Sequence, residues 1–340
     1  MIPRCKFEYS HTVGFLANQG RGFNNPVDLA FDESGLMYVL NRAGPEVGIR
    51  LPYKRITICN VAEEYLGEFS TGGQADGNLW WPSSIAISKD HRIFVSDEAL
   101  DRITVFDGTG KFVKKWGAKG GGEGQFNRIS YIAFDADDNL LISDSLNNRI
   151  QLFDKDGNFL SAWGKSGIGD GCFNMPWGIC VDKHRNIYVA DWRNDRIQKF
   201  DCDGKFKKKW DNNNVTGVKF NRPASLAVDP ESNIYVADWG NERVIVINQE
   251  GHLLAAFYGD SAPSKWASDY FRANPTEYQE RLAADLDTDF TSGPSDRRDT
   301  SAKIEKLFWG PTAIKLDNQG RVYIVDSARH RIQIYKPLDL

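Results

Sequence analysis

An acidic residue recurs at one place along the chain: Asp97, Asp144, Asp191, Asp238 and Asp326, with Asn41 at the first occurrence. Five carboxylates brought to one point would suit a divalent cation, because hard cations gather several oxygen ligands. Yet each aspartate is followed five residues later by an arginine: Arg102, Arg149, Arg196, Arg243 and Arg331. A carboxylate next to a guanidinium forms a charge-assisted pair. The series therefore points to loop ties before it points to a metal. Asn41 breaks the series where a long loop follows, so that copy is expected to have lost the tie and to be free for another task.

Sequences that imitate catalytic motifs fail on inspection. Gly164-Lys165-Ser166 lacks the first glycine of a phosphate loop, six positions before its lysine, where Phe159 stands. Asp285, Asp287 and Asp289 imitate the start of a calcium loop, but Phe290 replaces the turn glycine and Asp296 the closing glutamate. Neither GxSxG nor HExxH occurs. The five cysteines contain no CxxC pair and are odd in number, against a disulfide framework or a zinc ribbon. The net charge of −4 disfavours a general nucleic-acid binder. The N-terminus has no apolar signal core and no stretch is long and apolar enough to cross a membrane, so the chain as given is expected to be cytoplasmic.

The elements that carry the aspartates repeat six times. The copies begin at Phe23, Leu79, Phe126, Phe173, Phe220 and Phe308. Pro82, Ile129, Pro176 and Pro223 follow one another at intervals of 47 residues. Each copy holds four short, β-rich runs separated by turn residues, as in WGICVD, NIYVAD, RIQKFD and KFKKKW. Four strands repeated six times predict an all-β, six-bladed β-propeller, because radial repetition closes a ring and leaves only short outer edges. The last copy stops after its third strand, and residues 6–17 resemble a fourth. The N-terminal segment is thus expected to complete blade six, in a single domain spanning 1–340.

The recurring phrase of Pro, an apolar strand ending in Asp, YVAD, Asn, Arg-Ile and Asp-x-Gly resembles the NHL-repeat family of six-bladed propellers. That family includes protein-binding and RNA-binding domains, sensor domains and some lyases, so the resemblance implies a fold and leaves function open. Its amidating-lyase branch holds zinc with three histidines near the channel mouth. Here His91, His184 and His252 fall in turns of the opposite face and His11 in the closing strand, leaving His330 alone on the candidate face. No metal site is assigned; room is left for a divalent cation at the channel mouth.

The candidate face is the one carrying the loops between second and third strands, since long loops on one side of a repeat array usually bind. Insertions at 42–54 and 260–306 are expected there, the second as a short helical lid starting at Asn274-Pro275 with Tyr278, Leu282 and Leu286 on one face and a mobile polar return. Trp116, Trp163 and Trp210 end fourth strands and are assigned to packing. Lysines in 111–119 and 205–210 lie on outer strands, where they block edge-to-edge association. The candidate ligand-binding residues are Asn41, Arg42, Trp81, Asp97, Trp177, Trp192, Trp239, Asp326 and His330. They predict a recognition scaffold for a protein or a small ligand, with catalytic residues unknown. The alternative is a lyase or hydrolase at the channel mouth.

Overall fold

The computed structural model describes residues 7–44, 53–284 and 297–338. Six four-stranded antiparallel sheets form the blades. Blade four shows the plan: Pro176–Val181 innermost, then Ile187–Asp191, Arg196–Phe200 and, at the rim, Phe206–Trp210. The second strand of every blade is buried along its whole length. It is packed on both faces by neighbouring blades, which is why these strands read as continuous apolar runs rather than alternating ones. The hydrophobic core is accordingly divided among six clusters, such as the one joining Tyr188 and Trp210 of blade four to Leu226 and Val236 of blade five.

The ring closes as the repeat predicts. Phe7–Val13 pairs antiparallel with Arg331–Pro337, from Phe7 opposite Pro337 to Val13 opposite Ile332. One feature of the seams depends on residue size. An aromatic ends the outer strand of the first five blades: Phe69, Trp116, Trp163, Trp210 and Phe257. Under the first four of these rings packs the turn between third and fourth strands of the next blade, with glycine at positive φ; a Cβ on Gly110, Gly157 or Gly204 would come within 2.5, 3.0 or 2.6 Å of Phe69, Trp116 or Trp163. In the closing blade the equivalent position is Val13, opposite Ile332 as Trp116 is opposite Ile103. The turn beneath it carries Glu63 at φ 60° in place of glycine.

The 260–306 insertion makes good the missing ring. It contains α1 (Lys265–Ala273), α2 (Pro275–Ala283) and α3 (Arg297–Lys303). Ser264 caps α1 by accepting from the Ala267 N–H. Trp266 of α1 is buried in the cluster with Val13, Phe23 and Cys59 at the seam between blades six and one. Thus α1 is a seam element, packed where blades six and one meet. Helix α2 starts at Pro275 as predicted, but Tyr278 and Leu282 are exposed; Leu286 and the calcium-loop imitation lie outside the described residues. The return, expected to be without structure, includes α3, which lies over the loops of blades five and six.

A polar network unnoticed in the sequence joins the innermost strands near the ring axis. Fully buried Asp28 of blade one accepts from Ser84 Oγ at 2.6 Å, Ile85 N at 3.1 Å and Tyr131 Oη at 3.0 Å. Lys315 of blade six lies 3.2 Å from Asp28 and 3.0 Å from Tyr131 Oη. Burial pushes Lys315 down, but Asp28 and Tyr131 outweigh it and hold the ammonium above its usual range. Residues from blades one, two, three and six therefore meet at the axis. The signal was legible in retrospect: Asp28 and Lys315 are charges in innermost strands.

The outer-strand lysines are engaged locally. Lys115 pairs with Asp76, Lys114 with Asp156, Lys207 with Asp201 and Lys209 with Asp170. The four described cysteines are free thiols. Among the described residues no helix is long and apolar enough to cross a membrane.

Candidate ligand-binding face

The repeated aspartates are buried at the ends of the second strands. In each blade from three to six, the Asp accepts from a linker N–H of its own blade and from the arginine Nε. For Asp191 these are Asn174 N at 2.7 Å and Arg196 Nε at 2.7 Å; Asp144, Asp238 and Asp326 repeat the geometry with Arg149, Arg243 and Arg331 at 2.8 Å. Burial pushes the carboxyls of Asp191, Asp238 and Asp326 upward, against these hydrogen bonds.

Two blades depart from this pattern. Asp97 accepts instead from Trp80 N, Trp81 N, Ala99 N and Leu100 N, and the Arg102 Nε is buried without a hydrogen-bond partner. Blades three to five also place Asn147, Asn194 or Asn241 against the carboxylate; the same position is Leu100 in blade two and Arg329 in blade six. Asn41 keeps the linker bond but makes no arginine pair, as expected: its Oδ1 accepts from Asn24 N at 2.8 Å, its Nδ2 donates to Val39 O and Thr57 Oγ1, and the Arg55 guanidinium pairs with Glu68 instead. Asn41, Asp97 and Asp326 are fully buried and their polar atoms are used within the fold.

A second series, unnoticed in the sequence, staples blade to blade. The residue just before each arginine is in the left-handed region and accepts from a linker N–H of the next blade. Asp101 accepts from Arg128 N at 2.6 Å, Asn148 from Met175 N at 2.9 Å and Asp195 from Arg222 N at 2.7 Å. Glu242 accepts from Gly310 N at 2.5 Å, and His330 Nδ1 from Asn25 N at 3.0 Å across the closing seam. The candidate ligand His330 is thus half of the closure, its Nδ1 occupied as an acceptor. Burial, and then the neighbouring Arg329, push its pKa down. A polar residue before Arg in every such copy was the available signal. The seam between blades one and two has a different bridge. Arg42 lies 2.5 Å from buried Glu98 and stacks 4.6 Å from the Trp81 ring centroid.

The remaining candidates do come together. Trp177 and Trp192 have ring centroids 5.6 Å apart, and Trp192 and Trp239 6.3 Å apart. All three indoles are partly exposed. Arg193 and Arg222 both stack on Trp192, at 5.7 and 4.9 Å from its centroid. Both arginines are exposed, and among the described residues neither has a carboxylate within ion-pair distance. Arg298 of α3 covers Trp239 at 4.5 Å and pairs with Glu242 at 2.8 Å. Burial pushes Glu242 up to about 7 against the pull of Gly310 N–H and Arg298. Arg329 stacks on Trp309 and donates to Ser301 O and Ile304 O, which fastens the end of α3 to blade six. Among the described residues no group of three or more His, Cys, Asp or Glu side chains converges as a metal site would require.

Comparisons with known proteins agree with this architecture. A family model described as 6-bladed beta-propeller matches residues 76–141 and 125–223, and the NHL repeat model matches 220–255 and 308–335. No curated protein matches the sequence. Among solved structures, a catalytically inactive virginiamycin B lyase from Staphylococcus aureus with quinupristin is similar at TM-score 0.58 and 11% identity, covering 98% of this chain and 100% of that one. A streptogramin B lyase gives 0.58 and 12%, covering 98% of each. A protein of unknown function from Bacteroides caccae gives 0.53 and 13%, covering 68% of this chain and 81% of that one. At these identities the likeness concerns the fold alone. With six copies of the repeat closed by its own N-terminal strand, the chain belongs to the NHL-repeat six-bladed β-propellers.

Proposed function

We propose that this propeller is a recognition scaffold whose ligand rests on Trp177, Trp192 and Trp239. The observation that carries this reading is the contiguous run of three partly exposed indoles across the seam of blades four and five. Tryptophan contributes large contact area at a low cost in side-chain entropy and dominates binding hot spots. The flanking carboxylates are spent on loop ties and staples, so the site offers contact surface and few groups for acid–base chemistry. Helix α3 borders the platform through Arg298 and gives the surface a raised edge.

The test uses a displayed library of random twelve-residue peptides, selected on the intact protein. Binders are expected to lose affinity at least tenfold on Trp192→Ala and to be indifferent to Lys208→Ala on the outer strand. Binders that ignore Trp192→Ala would place recognition elsewhere and remove this reading.

A further inference from the structure

We infer that the ligand of this face is an acidic segment of a protein partner, read by Arg193 and Arg222. The inference rests on the scaffold reading above and adds the chemistry of the occupant. Two guanidiniums share one indole ring, Trp192, yet neither has a carboxylate within ion-pair distance among the described residues. Arg42 and Arg128 share Glu98, Arg298 pairs with Glu242, and Arg329 is spent on backbone carbonyls at the end of α3. Arg193 and Arg222 are exposed and stand together on Trp192, two cations open to an incoming anion.

The geometry favours carboxylates on a peptide. Both guanidinium carbons lie near one ring centroid, at 5.7 and 4.9 Å, so they are at most about 11 Å apart. Same-side residues of an extended chain recur about every 7 Å. Two carboxylates at alternate positions would therefore meet both arginines, each guanidinium offering a planar fork suited to a carboxylate. Stacking on Trp192 holds the forks in place before binding, which reduces the ordering cost of the complex. The indoles on either side would take an apolar or aromatic residue between or beside the acids. A polyphosphate chain is less well served: its affinity needs a track of many cations, and here Asp195 accepts from the backbone of Arg222, Glu242 lies at Trp239, and Lys114 and Lys209 of the outer strands are paired with Asp156 and Asp170.

The same peptide selection decides the matter through the composition of its binders. The expected pool is enriched in Asp and Glu at alternate positions. Its members should weaken at least tenfold when Glu is replaced by Gln, when salt is raised from 50 to 500 mM, or when Arg193→Ala and Arg222→Ala are combined. The double variant should melt within a few degrees of the parent, since both side chains are exposed. A Trp192-dependent pool without acidic enrichment would overturn the inference and leave the scaffold reading intact. An empty or Trp192-independent pool would overturn both. A uridine nonamer that binds more tightly than the acidic peptides, with the same arginine dependence, would also overturn the inference in favour of nucleic acid.

Discussion

The indole Nε1 of Trp266 donates to the backbone carbonyl of Glu63 at 2.8 Å. The two residues are 203 apart in sequence and are brought together only when the ring closes. Trp210 does the same inside the regular array, donating to Gln249 O in the turn of the next blade at 3.1 Å. Helix α1 thus supplies from outside the repeat the aromatic that Val13 lacks. Glu63 fills the space left by the smaller side chain, accepting from Gly14 N at 2.8 Å and from Lys265 N.

Removing that ring should open the closure first. Trp266→Ala is expected to cost about 3–5 kcal/mol, the range for a buried aromatic truncated to alanine. Hydrogen exchange should rise earliest in Phe7–Val13 and Arg331–Pro337. Adding Val13→Phe and Glu63→Gly rebuilds the aromatic-over-glycine contact of the other seams and should recover part of the loss. Uniform loss of protection around the ring would contradict a closure role.

The staple at His330 makes closure sensitive to acid. Its Nδ1 must be unprotonated to accept from Asn25 N, and its folded pKa is lowered by burial and by Arg329. A lowered histidine pKa means that the unfolded chain binds the proton more readily. The contribution is therefore complete above about 6.5 and is lost as pH falls from there toward the lowered folded value. His330→Asn copies Asn148 of blade three, and should lose less melting temperature than the parent between pH 7.5 and 5.5. Glu242, pushed up to about 7, acts with the opposite sign: its contribution is present below about 4.5 and is lost as pH rises toward 7. Only the difference between parent and variant isolates His330.

Asp191 belongs to the framework. Asp191→Asn removes the carboxylate that meets Arg196 while that guanidinium stays buried, a change that costs about 3 kcal/mol. Urea denaturation should register the loss. Peptide affinity for the Trp192 face, measured where the variant is fully folded, should change less than threefold. Unchanged stability with collapsed binding would assign Asp191 to the site instead.

The axial network should behave as a buried ion pair. Asp28→Asn leaves the Lys315 ammonium without its carboxylate and is expected to cost about 3–5 kcal/mol. Combining it with Lys315→Met removes the stranded charge and should recover part of that loss in equilibrium unfolding. A double variant less stable than the single one would show that Asp28 and Lys315 do not act as a pair.

The amino-acid sequence by itself determined the ring. The period of 47 residues, the apolar second strands and the strand-like N-terminus depend on local pattern, and local pattern decides which strands form and how many blades they build. The packing role of Trp210 was legible for the same reason. What the tertiary structure decided is every contact across a seam or the axis. Asp28 with Lys315, Asn25 with His330 and Glu63 with Trp266 join residues hundreds of positions apart, and no periodicity records which blade faces which. Whether Trp192 is buried or open also depended on its surroundings: Arg193, Arg222, Trp177 and Trp239 had to be placed in space before a row of similar tryptophans could be separated into cores, bridges and a binding surface.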